Sequence, residues 1–309
     1  MTAFAAVEYA ARLAAVERVL VVGDGTFEFA HALAEAVSDT DIKRSGWLVA
    51  TALDAVPADA ETAARCAALV ARGATVRHGV DATALDHDGS AFDAIVFNFP
   101  YFVAPDRRPR IDDNRALLAR FFAAAVPVLA RAGTIYVALA RGQGGTPADA
   151  VSATRPKAYE NSWRVVDAAA GAGLVLSEAG PPAFPGGYAP AGYRRRACAD
   201  RTIGELYATE AVAHVFAREG TCEPLHAVPH EHHVSFWVPP GDRRDDAFRG
   251  LAAAVAEECG IVLAAAAPCD AYACPRTGRC SVTYRVVLAS GARACSRARS
   301  SDIAGDLAR

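Results

Sequence analysis

An α/β protein built on a doubly wound, mostly parallel sheet and followed by a smaller α+β unit is what the sequence predicts. Three observations lead there. Short apolar runs alternate with helical patterns through residue 199, the pattern of strands joined by helical crossovers. The first run meets its helix in "RVLVVGDGTFEFAHALAEA", Arg18–Ala36, with two glycines and a carboxylate at the junction. After a Pro/Gly-rich loop, "GPPAFPGGYAPAG", the rhythm changes to β-α-β-β-α, most of a ferredoxin-like unit.

In chain order, strands are expected at Arg18–Gly23, Gly46–Thr51, Ala74–Gly79, Phe92–Phe97, Thr134–Ala140 and Leu174–Glu178. Helices are expected near Phe27–Val37, Asp59–Arg72, Asn114–Arg131 and Ser162–Ala172. The third of these carries Leu117, Leu118, Phe121, Phe122, Ala125 and Leu129 as an apolar stripe, and Pro127 should kink it or mark its last turns. Arg194–Arg196 suit an edge strand and Ile203–Arg218 a helix, so residues 200–228 read as a helical linker between units 1–199 and 229–309. In the second unit "HHVSFWVP" alternates as a strand, Asp245–Cys259 is helical, Val262–Tyr272 and "CSVTYRVVLA" are strands, and Ser301–Ala308 is a helix. The ferredoxin-like pattern would end on one more strand, which is missing.

The 309 residues are 52% hydrophobic and 22% charged, with a net charge of −3, enough to bury a real core. That balance gives no global positive field for nucleic acid, so RNA contact has to come from local patches. Eight cysteines show no C-x-x-C pair, and free thiols in an intracellular chain with no metal are expected. With no signal sequence and no membrane-length apolar run, the location expected is cytoplasmic or nuclear/nucleolar. Oligomeric state is left open.

Gly23 and Gly25 let the backbone pass close to a ligand at a helix N-terminus. A dinucleotide would favour a third glycine where Glu28 stands, so a nucleoside cofactor without pyrophosphate fits better. S-adenosylmethionine is one, and its cationic groups would tolerate Asp24. Asp54 follows the second strand, where an acid takes ribose hydroxyls, and Asp81 with Ala82 follows the third, where a carboxylate accepts from the adenine amine. Each is equally an ordinary cap or turn residue. At the end of the fourth strand, Asn98, Pro100 and Tyr101 in "FDAIVFNFPYF" are similar to the Asn-Pro-Pro-Tyr motif of methyltransferases acting on planar base nitrogens. There an amide and a carbonyl hold the nitrogen and a ring stacks on the base.

Together "VLVVGDGTFEFAHALA", "ATALD", "GATVRHGVDAT", "FDAIVFNFPYF", "IDDNRALLARFFAAAVPVL", "GTIYVALARGQ", "SWRVVDAAAGAGLVL" and "GYAPAGYRRR" resemble the rRNA uridine-N3 methyltransferase-like family, a Rossmann-like branch of S-adenosylmethionine-dependent enzymes. Departures are Thr26, Glu28 and Ala30 in the first motif, and Tyr101 where histidine is usual. The run from Asp270 to Arg285, "DAYACPRTGRCSVTYR", resembles the ferredoxin-fold anticodon-binding domain of phenylalanyl-tRNA synthetases. The resemblance implies methyl transfer to a base nitrogen of RNA, most simply uridine N3 of rRNA or a tRNA base. Catalysis would fall to Asn98, Pro100 and Tyr101. Gly23, Asp24, Gly25, Phe27, Asp54, Asp81, Ala82 and Asn98 would bind the cofactor. Asn114, Arg115, Gln143, Trp163, Tyr193, Arg276, Arg279 and Arg297 would contact RNA, with Arg293 and Arg299 completing a local basic cluster. The rivals are a non-catalytic RNA-binding or ribosome-assembly factor retaining the fold, and an enzyme with a small-molecule acceptor.

Overall fold

A computed structural model describes residues 4–38, 45–86, 91–102, 110–150, 159–186, 188, 211–239 and 244–308. Within it the first unit is a seven-stranded sheet. The chain opens with the short strand β1 (Val7–Glu8) and helix α1 (Tyr9–Ala14), then β2 (Val19–Val21) and α2 (Glu28–Ser38). There follow β3 (Leu48–Thr51), α3 (Ala60–Ala71), β4 (Thr75–Arg77), β5 (Phe92–Asn98), α4 (Ile111–Ala125) and β6 (Leu129–Ala140). Then come α5 (Val165–Ala170), β7 (Leu174–Gly180), β8 (Pro182–Ala183) and β9 (Ala211–Arg218).

Strand order is β4-β3-β2-β5-β6-β9-β7. β2 to β6 pair in parallel, and β9 runs antiparallel between β6 and β7. The doubly wound expectation holds, and its cause is visible in β2. Val19 and Val21 face a core shared with α1, α2 and α3, whereas Leu20 and Val22 face a core shared with α4 and α5. A strand buried on both faces needs apolar residues at every position. Pro127 acts as expected: α4 stops at Ala125, and one 3₁₀ turn over Val126–Val128 feeds β6.

One expectation is overturned. The helix placed at Ile203–Arg218 is, over its described part, the strand β9, so residues 211–218 belong to the first sheet and not to a helical linker. "AVAHVFA" is buried at every position between two neighbouring strands, so it shows none of the alternation that marks a strand with one wet face. The Arg194–Arg196 edge strand lies outside the described residues.

The second unit is the expected β-α-β-β-α: β10 (His230–Val238), α6 (Asp245–Glu258), β11 (Ile261–Ala273), β12 (Cys280–Ser290) and α7 (Arg297–Leu307). Its sheet is antiparallel, in the order β10-β12-β11. The last helix begins four residues before the expected start, because Ser296 caps it by accepting from the Arg299 N–H at 3.3 Å. Two carboxylates of the first unit hold the second. Asp167 of α5 accepts from the backbone N–H of Arg297 at 2.7 Å, and Glu219, just after β9, accepts from that of Ala294 at 2.8 Å. Ala170, Val175 and Ala294 close a small apolar contact between them. Among the described residues no helix is long and apolar enough to cross a membrane.

Phe216 is fully buried and meets Phe122 edge-on at 5.0 Å, so it ties β9 to α4. Truncating it to alanine removes that contact and leaves a cavity. Phe216→Ala is expected to lower unfolding free energy by about 3–5 kcal/mol in urea titrations. A loss below about 1 kcal/mol would show that β9 is not part of this core.

Candidate functional site

The chain leaves β2 for the outer strands β3 and β4 and returns to β5 on the other side. The carboxyl ends of β2 and β5 therefore flank the point where strand order reverses, the place where open α/β sheets bind ligands. Gly23 begins the loop on one side, and Asn98 ends the strand on the other.

Gly23 has φ +68°, and a Cβ there would lie 2.7 Å from Cε2 of Phe97. Only glycine takes that conformation freely and clears the ring. At Gly25 a Cβ would meet nothing within 4 Å, so the space over this residue is open. Asp24 turns inward. Its Oδ2 accepts from the backbone N–H of Ala30 at 2.8 Å and covers the amino end of α2. Phe27, one residue before the position of the absent third glycine, takes the left-handed conformation at φ 55°. Its ring is fully buried, edge-on to His78 at 5.3 Å, so it anchors the loop from below rather than facing a cofactor. Asp54 is exposed after β3. Asp81 uses Oδ1 to accept from the N–H and hydroxyl of Thr83, at 2.8 and 2.9 Å, and Ala82 beside it is buried.

Asn98 is the focus of the opposite rim. Its Oδ1 accepts from the Tyr9 hydroxyl at 3.3 Å, while its Nδ2 is buried with no hydrogen-bond partner among the described residues. Tyr9 is fully buried, and that burial pushes its hydroxyl pKa well above the usual range, so it remains a donor. A donor fixes which end of the amide is held: the oxygen is taken and the NH2 is the end left over. The chain then reverses at Phe99, with φ 51° and its N–H bonded to Ala138 O at 2.8 Å. Pro100 is buried and shapes the turn, leaving Tyr101 half-buried with its ring 6.3 Å from Trp163.

Four residues expected to touch substrate make bonds and contacts within this wall. Asn114 is buried, donating to Arg110 O and accepting from the Phe102 N–H, both at 2.9 Å, which ties the loop end to α4. Arg115 spends its guanidinium on Asp112 and on the carbonyls of Glu160 and Ser162. Gln143 accepts from the Ala140 N–H through Oε1 and from the Trp163 N–H through its carbonyl. Trp163 is only 5% exposed and backs Tyr101. Tyr193 lies outside the described residues.

The basic cluster of the second unit comes apart. Arg276 and Arg279 sit on the exposed turn between β11 and β12, with Arg279 over the Trp237 ring at 4.8 Å. Arg293 and Arg299 serve Glu219 at the junction, while Arg297 is exposed there. Trp237 and Tyr272 both pair with Ser281, so the two exposed rings share the open face of the sheet. Among the described residues no group of His, Cys, Asp and Glu is placed to hold a metal.

Sequence reasoning missed Tyr9 and the aromatics of the 180–188 loop. Phe184 lies 5.1 Å from Tyr9 and 6.1 Å from Phe99, and Tyr188 meets Phe29 at 5.3 Å. The available signal was two aromatic residues inside an otherwise Pro/Gly-rich loop.

Three comparisons bear on the chain. A family model described as rRNA (uridine-N3-)-methyltransferase BTM5-like matches residues 20–187. The mouse (Mus musculus) ferredoxin-fold anticodon-binding domain-containing protein 1 homolog is 41% identical over 185 residues, covering 57% of this chain and 28% of the relative. The human (Homo sapiens) ferredoxin-fold anticodon-binding domain-containing protein 1 is 38% identical over 213 residues, covering 66% and 31%. The chain thus spans about three tenths of the length of the curated relatives it matches. Among solved structures, the CcbJ methyltransferase from Streptomyces caelestis aligns with a TM-score of 0.40 at 14% identity, over 67% of this chain and 86% of that one.

Asp24 supplies a test of the loop by itself. Burial outweighs the N–H groups of Phe29 and Ala30 and pushes its carboxyl up to about 6. The folded value exceeds the unfolded one, so this group's contribution is complete below about pH 4 and is lost as pH rises through 6. Asp24→Asn keeps the acceptor and removes the charge. It is expected to exceed the parent in stability at pH 7.5 by on the order of 2 kcal/mol, with the difference vanishing near pH 4. Equal denaturation midpoints for the two proteins across that range would contradict this environment.

Proposed function

Because the chain belongs to the rRNA (uridine-N3-)-methyltransferase BTM5-like family, whose model matches more than half of it, we propose that it methylates a base nitrogen of RNA, namely uridine N3, using S-adenosylmethionine. The observation that carries this reading is the unpartnered Nδ2 of Asn98 at the reversal point of the sheet. A buried donor without a partner costs about 1–3 kcal/mol, so a site that keeps one is built for an acceptor that arrives with its ligand. Uracil N3 lies between two carbonyl oxygens, and an amide NH2 matches either of them.

The cofactor fits the opposite rim. Gly23 and Gly25 allow close approach of its methionine part, Asp54 is exposed for the ribose hydroxyls, and Asp81 has Oδ2 available for the adenine amine. Asp24 and Phe27 support this loop rather than touching the ligand. When bound, S-adenosylmethionine would supply a methyl group already activated on sulfonium; the S–CH3 bond breaks as the N3–CH3 bond forms and the N3 proton leaves to solvent, so the protein's task is alignment. Asn98 orients the base edge through its NH2, Tyr9 holds that amide, and Tyr101 offers a ring against the base. The exposed Trp237 and Tyr272, with Arg279, give the second unit a surface on which unpaired RNA bases stack.

Bulk RNA from cells lacking the protein, incubated with it and isotope-labelled cofactor, is expected to gain label in 3-methyluridine by nucleoside mass spectrometry. Label confined to another nucleoside, or none, would refute the assignment. Tyr9→Phe keeps the buried ring and frees the amide. It is expected to lower kcat about tenfold or more with little change in KM, and Asn98→Asp, which replaces the donor with a charge, roughly a hundredfold or more. An unchanged kcat in Tyr9→Phe would mean that Tyr9 does not position Asn98.

A further inference from the structure

Where the two units meet there is a cleft of about 560 Å³, lined by Tyr159, Arg164 and Asp167 on one side and by His230, His233 and Arg297 on the other. Its acids are largely committed. Asp167 accepts from the Arg297 backbone and lies 3.5 Å from His230, and Glu231 pairs with Arg285 at 2.6 Å. Glu160, also on the lining, is exposed and adds one carboxylate at the rim. Among the described residues no carboxylate pairs with the guanidinium of Arg164 or Arg297. Two buried polar atoms here have no hydrogen-bond partner among the described residues, the Tyr159 hydroxyl and Arg164 Nε. Arg164 also sits at φ 53°, a conformation that costs a side-chain-bearing residue about 1 kcal/mol or more and persists where the surroundings impose it.

The surroundings that impose it lead to the methyl-acceptor rim. Arg115 grips the carbonyls of Glu160 and Ser162, and Gln143 grips the N–H of Trp163. Trp163 backs Tyr101, and the next residue is Arg164. One tightly held segment therefore presents the base-facing wall at one residue and a guanidinium to the cleft at the next.

We infer that this cleft binds a phosphodiester of the RNA whose base is seated at Asn98, with Arg164 and Arg297, one from each unit, closing on the same backbone phosphate. The inference rests on the RNA reading above. Guanidinium forks and a phenol hydroxyl suit phosphate oxygens, and a site shared by both units requires their fixed docking through Asp167 and Glu219.

The test measures binding of a fluorescent single-stranded oligoribonucleotide containing uridine to the full chain, as a function of salt. The double variant Arg164→Gln/Arg297→Gln is compared with Arg120→Gln/Arg249→Gln, which removes the same charge from exposed helix positions. The cleft variant is expected to bind about tenfold more weakly and to lose about 0.7 from the slope of log affinity on log salt per phosphate released. The control should stay close to the parent, and both variants should bind S-adenosylhomocysteine as the parent does. Parent-like affinity and slope in the cleft variant, or equal losses in cleft variant and control, overturn the phosphate site while leaving the methyltransferase reading intact. A parent with no salt-dependent RNA binding overturns both.

Discussion

The backbone at Gly23 crosses the face of Phe97 with no room for a Cβ, and the rest of the site follows from that crossing. Phe97 is on β5, so its ring sets the height at which the loop after β2 can leave the sheet. A positive φ at Gly23 turns the chain over the ring, Asp24 folds back under α2, and the left-handed Phe27 drives its ring into the core beneath. The outcome is a rigid loop with bare backbone over an open space at Gly25. The next residue of β5 is Asn98, so the same strand that supports one rim supplies the polar group of the other.

A different strategy holds that other rim. Asn98, Asn114, Arg115 and Gln143 are all polar residues near one site, yet three of them bond to backbone and hold loops. The amide of Asn98 keeps a buried donor with no partner among the described residues. The buried Asp149, whose carboxyl is drawn down to about 2 chiefly by His214 against the opposing effect of burial, performs similar work after β6. It accepts from the N–H groups of Gly142, Gly144 and Thr146, fixing the turn that carries Gln143. Most of the buried charge around the site thus maintains loop geometry.

Elements with one clear face were legible in the sequence, and so was their order. The β-α alternation, the stop at Pro127 and the ferredoxin-like pattern all follow from periodicity and turn residues. β9 was not legible: like β2 it is buried on both faces and shows no alternation, but it lies outside the regular strand–helix alternation that marked β2, β3 and β5 as strands. Asn98 and Gly23 stand where the expectation put them, at strand ends on either side of the reversal point, because their positions depend on the backbone. The bonds that Asn114, Arg115 and Trp163 make within the wall were not legible, because a polar or aromatic residue near a site serves the wall as readily as a ligand. Tyr9 left no local signal: its partner is 89 residues away, and only the fold brings them together.

The most direct test of the account is calorimetric titration of the protein with S-adenosylhomocysteine, alongside Gly23→Val and Asp81→Ala. The account predicts micromolar binding by the parent. Gly23→Val should abolish it by forcing the loop off Phe97, and Asp81→Ala should remove or sharply weaken it. No heat of binding from a folded parent at millimolar ligand, or undiminished binding by Gly23→Val, would contradict the claim that the reversal point of this sheet is a cofactor site.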